Sequence, residues 1–268
     1  MCRVVAPPSR WRFGSRRFGS VSAYERLGAG YAGVRRPDPR IEARIRSALG
    51  SKGPIINVGA GAGSYEPSDL PVVAVEPARV MLAQRPAGAA PAVRAVAEAM
   101  PFADVTFAAG MAVLTVHHWR DLSLGLKELS RVVQGPIAVL SWDREIFNRY
   151  WMVAEYVPAS RTLDLDLPRP EAIAEFLGGG RVEIVPVPAD CTDGFYAAWW
   201  RRPEAYLEPA VRRGISGLAR LSPAQVDPGI QRLADDLSSG EWHRRHADLL
   251  ELDSYDAGYR LIVAAGRH

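Results

Sequence analysis

An apolar run that leads directly into alternating glycines constrains the fold of this chain more than any other stretch. It reads Ile55-Ile56-Asn57-Val58-Gly59-Ala60-Gly61-Ala62-Gly63-Ser64. The apolar part predicts a buried strand of a parallel sheet, because both faces of such a strand are covered. The glycines allow the backbone to turn tightly and to approach a ligand closely. Strand, glycine turn and helix together predict a site for a nucleotide-like ligand, although such turns also occur for purely structural reasons.

A carboxylate ends the second predicted strand. The run Pro71-Val72-Val73-Ala74-Val75 is short and apolar, and Glu76 follows it. An acid at this distance from a glycine turn binds a ribose, since one carboxylate accepts from both ribose hydroxyls. The alternative is an ordinary glutamate before a helix start at Pro77, where the helix dipole favours an acid. We favour the ribose interpretation because the glycine turn precedes it.

Apolar strands and amphipathic helices alternate along most of the chain. Besides the two strands above, predicted strands cover 92–97, 105–116, 136–142, 181–187 and 259–264. Predicted helices cover 41–49, 78–84, 122–133, 144–157 and 171–177. This alternation predicts an α/β fold with a doubly wound, mostly parallel sheet.

The composition divides the chain into five parts. Arginine, proline and glycine crowd residues 1–20, and this composition predicts a disordered arm because it cannot bury much surface. Residues 21–50 should form N-terminal helices, in which Tyr24 and Tyr31 share a face and either close over a ligand or pack on the sheet. The remaining parts are an α/β core over 51–188, a helical insertion that serves as a substrate cap over 189–257, and the final strand over 258–268.

Charge and composition argue against several classes of function. The net charge of +3 is small, and the sequence after the first twenty residues contains no basic stripe. Nucleic-acid binding is therefore not predicted. No stretch approaches the ~18 consecutive apolar residues of a membrane span. Cys2 and Cys191 are the only cysteines, which favours a reducing cytoplasm over a disulfide framework. His243 and His246 are flanked by arginines without a ligand cluster, so we expect no metal site.

Five motifs follow one another at a characteristic spacing. They are Asn57-Val58-Gly59-Ala60-Gly61-Ala62-Gly63, Val75-Glu76-Pro77, Ala97-Glu98-Ala99-Met100-Pro101-Phe102, Leu114-Thr115-Val116-His117-His118-Trp119 and Glu128-Leu129-Ser130-Arg131-Val132-Val133. In this order they resemble the class I S-adenosylmethionine-dependent methyltransferases, especially the small-molecule branch that includes the ubiquinone/menaquinone methyltransferases. The resemblance covers about residues 55–143 and implies a Rossmann-like, seven-stranded sheet with an antiparallel last strand.

The resemblance also implies S-adenosylmethionine as the cofactor and distributes its parts along the motifs. The glycine turn would hold the methionine part, and Glu76 would hold the ribose. Val96 and Ala97 would border the adenine, and His117 would lie near the sulfonium. The candidate donor-binding residues are Tyr24, Tyr31, Asn57, Gly59, Ala60, Gly61, Gly63, Glu76, Pro77, Ala97, Glu98, Thr115 and His117.

The candidate catalytic residues follow the fourth and fifth predicted strands. Methyl transfer from a sulfonium is an in-line displacement, so alignment and exclusion of water supply much of the catalysis. His117 and His118 are candidate bases, and strand alternation would send their side chains to opposite faces. Alternatively, the two imidazoles only shape the pocket. Asp143 is a further candidate base, or a cap for the following helix.

Aromatic residues are dense between Trp142 and Trp200. They could line a pocket for a flat or apolar acceptor, surround a cationic centre, or attach the insertion to the sheet. The candidate substrate residues are Trp119, Trp142, Trp151, Asp193, Phe195 and Trp199. Turn chemistry explains Asp193-Gly194 equally well. We expect transfer to a small-molecule acceptor.

Three positions depart from the family pattern. Asn57 stands where the family usually has an acid, Val96 where it often has an Asp, and Ala108 where a Phe-Asp pair commonly opens the strand. These departures keep open a protein that binds the donor without transferring methyl. The other alternative is a nicotinamide-dependent oxidoreductase on a similar sheet, although Ser64 replaces the glycine or alanine of that fingerprint.

Overall fold

One seven-stranded sheet organises the protein. The computed structural model describes residues 35–50 and 52–266. The strands of this part of the chain are β1 (Ile55–Val58), β2 (Val72–Val75), β3 (Ala92–Val93), β4 (Ala109–Val113), β5 (Ile137–Trp142), β6 (Gly180–Ile184), β7 (Val187–Pro188), β8 (Ser254–Tyr255) and β9 (Tyr259–Ala264). The main sheet has the order β3-β2-β1-β4-β5-β9-β6, and β7 pairs separately with β8.

The strand directions are those of a doubly wound sheet. β1 is parallel to β2 and β4, β2 is parallel to β3, and β4 is parallel to β5. β9 is antiparallel to both of its neighbours, β5 and β6. The strand order reverses between β1 and β4, which is where open α/β sheets bind ligands at the strands' carboxyl ends. The predicted seven-stranded, mostly parallel sheet with flanking helices is confirmed.

Most helices begin at a local signal in the sequence. They are α1 (Pro39–Leu49), α2 (Arg79–Leu82), α3 (Leu122–Val132), α4 (Arg144–Phe147), α5 (Pro170–Phe176), α6 (Pro209–Gly214), α7 (Ser216–Ala219), α8 (Pro223–Ser238), α9 (Glu241–Arg245) and α10 (Ala247–Leu250). Asp38 caps α1 by accepting from the N–H of Arg40, and Asp121 caps α3 by accepting from the N–H of Leu124. Among the described residues, no helix has the length and apolar character that a bilayer crossing requires.

Both faces of the main sheet are buried. Leu140 of β5 packs in a hydrophobic cluster with Ile45 of α1. Its neighbour Val139 points the other way and packs in a second cluster with Leu126 of α3. Successive strand residues therefore serve opposite layers of helices, which is why the strands read as continuous apolar runs in the sequence.

The segment between β7 and β8, here called the helical insertion, has buried aromatic residues that are continuous with the hydrophobic cluster on one face of the main sheet. Pairing of β7 with β8 holds its two ends together. Trp200 donates its indole N–H to the carbonyl of Val187 at 3.0 Å, and Trp151 donates to the carbonyl of Trp200 at 3.0 Å. Gly229 of α8 lies so close to Tyr156 that an added Cβ would be 1.9 Å from its carbonyl oxygen. These contacts attach the insertion to the segment that follows β5.

Several predicted elements differ in extent from the observed ones. β4 ends at Val113 rather than at 116, because Leu114 has a φ of 51° that a strand cannot accommodate. The predicted helix over 144–157 is interrupted after α4 and resumes as a π-helical turn over Met152–Tyr156. The predicted third strand contains only the two residues of β3.

Candidate active site

The glycine turn lies where β1 ends, at the reversal of strand order. Gly59 and Ala60 donate their N–H groups to the carbonyl of Val75, at 2.8 and 3.0 Å. Gly59 has a φ of 72°, and a Cβ at this position would lie 2.0 Å from Oγ1 of Thr115. Glycine is therefore required at position 59 for its backbone conformation and for its close approach to the end of β4.

Glu76 connects the end of β2 with this turn. Its side chain is 6% exposed, and its Oε2 accepts from the N–H of Gly61 at 2.9 Å. Its Oε1 accepts from the N–H of Ala78 at 2.8 Å. Each carboxylate oxygen can accept a further hydrogen bond. Glu76 is thus held in place by the backbone while keeping the capacity to accept from a ligand's hydroxyl groups.

A cavity opens beside Glu76 and the turn, here called the glycine-turn cavity. Nine of the predicted donor-binding residues line it: Asn57, Gly59, Ala60, Gly61, Glu76, Pro77, Ala97, Glu98 and Thr115. Gly63 shapes the turn with a φ of 99° but does not line the cavity, and His117 lines a different cavity. Tyr24 and Tyr31 lie outside the described residues.

A buried ion pair beside Asn57 was not predicted from the sequence. Asn57 donates its amide N–H to Oε1 of Glu66 at 3.1 Å. Arg85 binds the same carboxylate through both terminal nitrogens, at 3.0 and 2.7 Å. Glu66 therefore brings a carboxylate to the position-57 side chain, where the family usually has an acid. The sequence feature that could have indicated this contact is the position of Glu66, three residues after the last glycine of the turn.

Glu98 holds a loop at the edge of the glycine-turn cavity. Its Oε1 accepts from the N–H groups of Arg120 and Asp121, at 2.5 and 3.0 Å. These N–H groups immediately follow Trp119, which also lines the glycine-turn cavity and packs on Gly125 of α3. Trp119, predicted as a substrate residue, therefore belongs to the glycine-turn cavity instead.

His117 and His118 lie on a 3-10 turn over Val116–His118, not on the strand. Their side chains therefore do not alternate as they would on a strand. The prediction that they point to opposite faces of the sheet is wrong, because it assumed a strand at this position. The ring centroids of the two histidines are 3.6 Å apart. His118 lines the glycine-turn cavity, whereas His117 lines a second cavity and contacts Trp142 edge-on with centroids 4.5 Å apart.

The second cavity is here called the aromatic cavity. Five aromatic residues besides His117 line it: Trp142, Phe147, Phe195, Tyr196 and Tyr259. Burial raises the pKa of Tyr196 and of Tyr259 above the ordinary value, so both hydroxyls stay neutral at physiological pH. The aromatic cavity shares Arg35 and Leu114 with the glycine-turn cavity. Two ligands bound in the two cavities would meet at this shared wall.

Four of the predicted catalytic and substrate residues lie away from both cavities. Trp151 is buried against Trp200, and Trp199 packs under the guanidinium of Arg202 at 4.4 Å. Asp143 caps α4 by accepting from the N–H groups of Glu145 and Ile146. The fourth residue, Asp193, is fully buried behind the wall that the cavities share.

Asp193 forms a network that the sequence did not predict. Its carboxylate accepts from Nε and Nη2 of Arg35, at 2.6 and 3.1 Å, and from the hydroxyl of Tyr65 at 2.7 Å. Burial and the neighbouring Asp193 raise the pKa of Tyr65 well above its ordinary value, so its hydroxyl remains a donor. The network joins the segment before α1, the glycine turn and the helical insertion, since each contributes one residue.

Comparison with known proteins identifies the family. Residues 56–135 match the family model described as a methyltransferase domain. A solved structure from Anabaena variabilis ATCC 29413, assigned as a methyltransferase of an antibiotic biosynthesis pathway, is 33% identical with a TM-score of 0.78, covering 86% of this chain and 98% of the other. No curated protein matches.

Two more distant structures share the fold alone. The [4+2]-cyclase SpnF has a TM-score of 0.53 at 13% identity, covering 95% of this chain and 98% of its own. A chain of the complex between the Haloferax volcanii Trm112 methyltransferase activator and a methyltransferase has a TM-score of 0.54 at 9% identity, covering 93% and 98%.

A doubly wound sheet with a glycine turn and a carboxylate after β2 defines a class of α/β proteins that bind nucleoside-containing ligands. Within that class, the chain belongs to the class I S-adenosylmethionine-dependent methyltransferases. It is an enzyme, and S-adenosylmethionine is its methyl donor. The alternative of a nicotinamide-dependent oxidoreductase is thereby set aside.

The lining of the glycine-turn cavity fits this donor in polarity. Glu76 offers acceptors for ribose hydroxyls, and Val96 and Ala97 offer an apolar wall for adenine. In the described part of the chain, no three ligating side chains converge as a metal site would require.

Proposed function

We propose that the enzyme methylates a small molecule enclosed in the aromatic cavity. The observation that carries this proposal is the pair of adjoining cavities, which share Arg35 and Leu114 and are lined on either side by the adjacent rings of His118 and His117. The aromatic cavity is lined by Trp142, Phe147 and Phe195, and such a lining suits a small aromatic or apolar acceptor. A nucleic acid would need an extended basic surface instead.

On the donor side, we assign the ribose to Glu76 and the methionine part to the glycine turn. Bound there, S-adenosylmethionine would supply an activated methyl carbon for in-line displacement by the acceptor atom, and the electron pair of the carbon–sulfur bond would go to sulfur. The protein's contribution is to align the two ligands and to exclude water. The buried Glu76 and the close packing of Gly59 on Thr115 support such a rigid arrangement.

On the acceptor side, we assign His117 as the group that takes the acceptor's proton. It lines the aromatic cavity next to the shared wall, and its ring is held between those of His118 and Trp142. A phenol or an enol must lose a proton for the transfer, whereas an unprotonated amine needs less help. Trp142 and Phe195 would enclose the acceptor's body.

We assign the helical insertion as a substrate cap. It supplies Phe195, Tyr196 and the turn around Ile215 to the wall of the aromatic cavity. The pairing of β7 with β8 supports a division between the α/β core and the insertion at about residues 188 and 258. We also infer a cytoplasmic location, which the single buried free thiol of the described residues, Cys191, supports.

Transfer of radiolabelled methyl tests this function. The purified enzyme is incubated with S-adenosylmethionine labelled at the methyl group and with pools of hydroxylated aromatic acids, amides and amines. We expect label in an organic-soluble product from at least one pool. Label only in added RNA or protein would contradict the proposal.

Calorimetry with Glu76→Ala tests the donor side. We expect the change to weaken binding of S-adenosylmethionine by at least about tenfold, because charge-assisted hydrogen bonds to the ribose are lost. Glu175→Ala, an exposed glutamate on α5, is the matched control and should bind as the wild type does. Equal affinity of the Glu76→Ala variant and the wild type would show that the ribose assignment is wrong.

A further inference from the structure

The charged side chains that line the aromatic cavity differ in whether each is paired with a side chain of opposite charge. Those that line it are Arg35, Arg144 and Asp164. Arg35 is paired with the buried Asp193. Asp164 is paired with Arg220, whose Nη1 lies 3.0 Å from both carboxylate oxygens. Among the described residues, Arg144 has no carboxylate partner, so the lining carries one uncompensated positive charge.

The guanidinium of Arg144 is held by backbone carbonyls. Its Nη1 donates to the carbonyl of Leu165 at 3.0 Å, and its Nη2 lies 3.5 Å from the carbonyl of Arg161. Carbonyl oxygens orient a guanidinium but do not cancel its charge. A guanidinium has five N–H donors in a planar fork, so these two contacts leave donors for a ligand. Arg144 is therefore positioned in advance for an acidic group.

A second arginine adds to the positive charge at the same rim. Arg161 donates to the carbonyl of Asn148 at 3.1 Å, and Asn148 lines the aromatic cavity. The carboxylates nearest in the sequence are already engaged: Asp143 caps α4, and Glu145 lies 3.2 Å from Arg169. The rim thus carries the guanidinium groups of both Arg144 and Arg161.

We propose that the methyl acceptor is an anion, namely an aromatic or otherwise apolar small molecule whose carboxylate or similar acidic group binds Arg144. This inference rests on the proposed function, since it names the substrate class of the same cavity. The acceptor's apolar body lies among Trp142, Phe147 and Phe195, and its reactive atom lies at the wall formed by Leu114. The acidic group and the reactive atom therefore occupy different ends of one molecule.

The preference of Arg144 for an acid over an amide or an amine follows from the chemistry of its guanidinium group. A carboxylate accepts two parallel, charge-assisted hydrogen bonds from it, whereas a neutral amide offers one acceptor and a competing donor. A cationic amine at the same place is repelled. We expect the acid to bind at least about tenfold more tightly than the matching amide.

Fluorescence titration with a matched pair of probes tests this inference. The probes are 6-hydroxy-2-naphthoate and 6-hydroxy-2-naphthamide, which carry the hydroxyl at the opposite end from the acidic group and differ only in that group. Each is titrated into the full-length enzyme saturated with S-adenosylhomocysteine. Arg144→Met is compared with Arg149→Met, an exposed arginine of the same segment that does not line the cavity. Thermal unfolding and donor calorimetry verify that both variants fold and bind the donor product.

The expected result is a preference for the acid in the wild type and in Arg149→Met, and loss of that preference in Arg144→Met. Equal binding of the two probes, failure of the acid to bind, or an unchanged preference in Arg144→Met would overturn the inference. Methyl transfer to the naphthol hydroxyls, followed in parallel, separates the two proposals. An intact acid preference without any transfer would count against the proposed function alone, and transfer to acid and amide with equal KM would count against this inference alone.

Discussion

The imidazole rings of His117 and His118 lie with their centroids 3.6 Å apart, yet each ring lines a different cavity. The 3-10 turn over Val116–His118 produces this arrangement, because it places consecutive side chains side by side instead of on opposite faces of a strand. The two adjacent rings, tilted by 48° to each other, lie at the boundary between the glycine-turn cavity and the aromatic cavity. The two histidines should therefore differ in what their removal affects.

Substitution of the two histidines should separate donor binding from methyl transfer. We expect His117→Gln to lower kcat by about 10²-fold or more, because a positioned general base contributes on this order, while the donor's Kd stays near the wild-type value. His118→Gln should instead weaken donor binding, since its ring lines the glycine-turn cavity. The measurements are calorimetry with S-adenosylmethionine and single-turnover transfer to an acceptor found by screening.

Exposed His243 on α9 offers the control, and His243→Gln should leave both quantities unchanged. A pH profile for the wild type and His117→Gln gives a further readout. If His117 accepts the proton, the acidic limb of the kcat profile disappears in the variant. If kcat falls but the limb persists, His117 only shapes the cavity.

Gly59→Ala should destabilise the fold and abolish donor binding. The added Cβ would lie 2.0 Å from Oγ1 of Thr115, and the backbone has a φ of 72°. Overpacking of this kind costs about 1–3 kcal/mol, and the left-handed backbone adds about 1–2 kcal/mol. Gly88→Ala is the matched control, because Gly88 has a φ of 86° but open space around its Cβ. Urea unfolding should show a clearly larger loss of unfolding free energy for Gly59→Ala than for Gly88→Ala. Equal losses would mean that the side chain of Thr115 moves to make room for the added methyl group.

The sequence was sufficient to predict the sheet, and nine of the predicted donor-binding residues line the glycine-turn cavity. Buried parallel strands leave continuous apolar runs, and a glycine turn leaves a pattern that depends only on neighbours in the chain. The ends of β4 and α4 were mispredicted, because the left-handed backbone of Leu114 and the π-turn after α4 have no pattern in hydrophobicity. Local signals therefore located the cavity beside Gly59 and Glu76.

The acceptor side depends on contacts between distant parts of the chain, and this is why it was only partly predicted. Aromatic density drew attention to Trp142 and Phe195, which line the aromatic cavity, but it did not distinguish them from Trp151, which is buried against Trp200. Arg35 and Asp193 are 158 positions apart, and no pattern in either segment indicates their pairing. Their role became apparent only from the geometry of the shared wall.

Asp193→Asn should be far more disruptive than Asp190→Asn. Asp193 and Arg35 are 0% and 9% exposed, and removing one charge of a buried pair costs about 3–5 kcal/mol because the other charge remains buried. Asp190 also pairs with an arginine, Arg40, but its side chain is 80% exposed, and such a pair contributes about 0–1 kcal/mol. Urea unfolding of both variants measures the difference, and similar losses for the two would contradict the assigned burial of the Arg35 pair.

The pH dependence of stability should reveal the buried carboxylate of Asp38. Burial alone would raise its pKa, but hydrogen bonds from the Arg40 side chain and from the N–H groups of Thr192 and Arg40 outweigh burial and hold the pKa at about 2, below the ordinary 3.8. Because the folded-state pKa is lowered, the ionised carboxylate stabilises the fold above about pH 4. This contribution is lost as the pH falls from about 4 towards 2.

The comparison with Asp38→Asn isolates this contribution from that of the other carboxylates. We expect the difference in unfolding free energy between the wild type and Asp38→Asn to be constant from pH 7 to pH 5 and to fall by about half at pH 3. Asp227→Asn, which changes an exposed residue of α8, should give a small difference at every pH. The prediction is contradicted if the difference in unfolding free energy between the wild type and Asp38→Asn stays constant down to pH 3. Asp38 would then have the same pKa in the folded and the unfolded protein, and the contacts with Arg40 and Thr192 would not hold its carboxylate ionised.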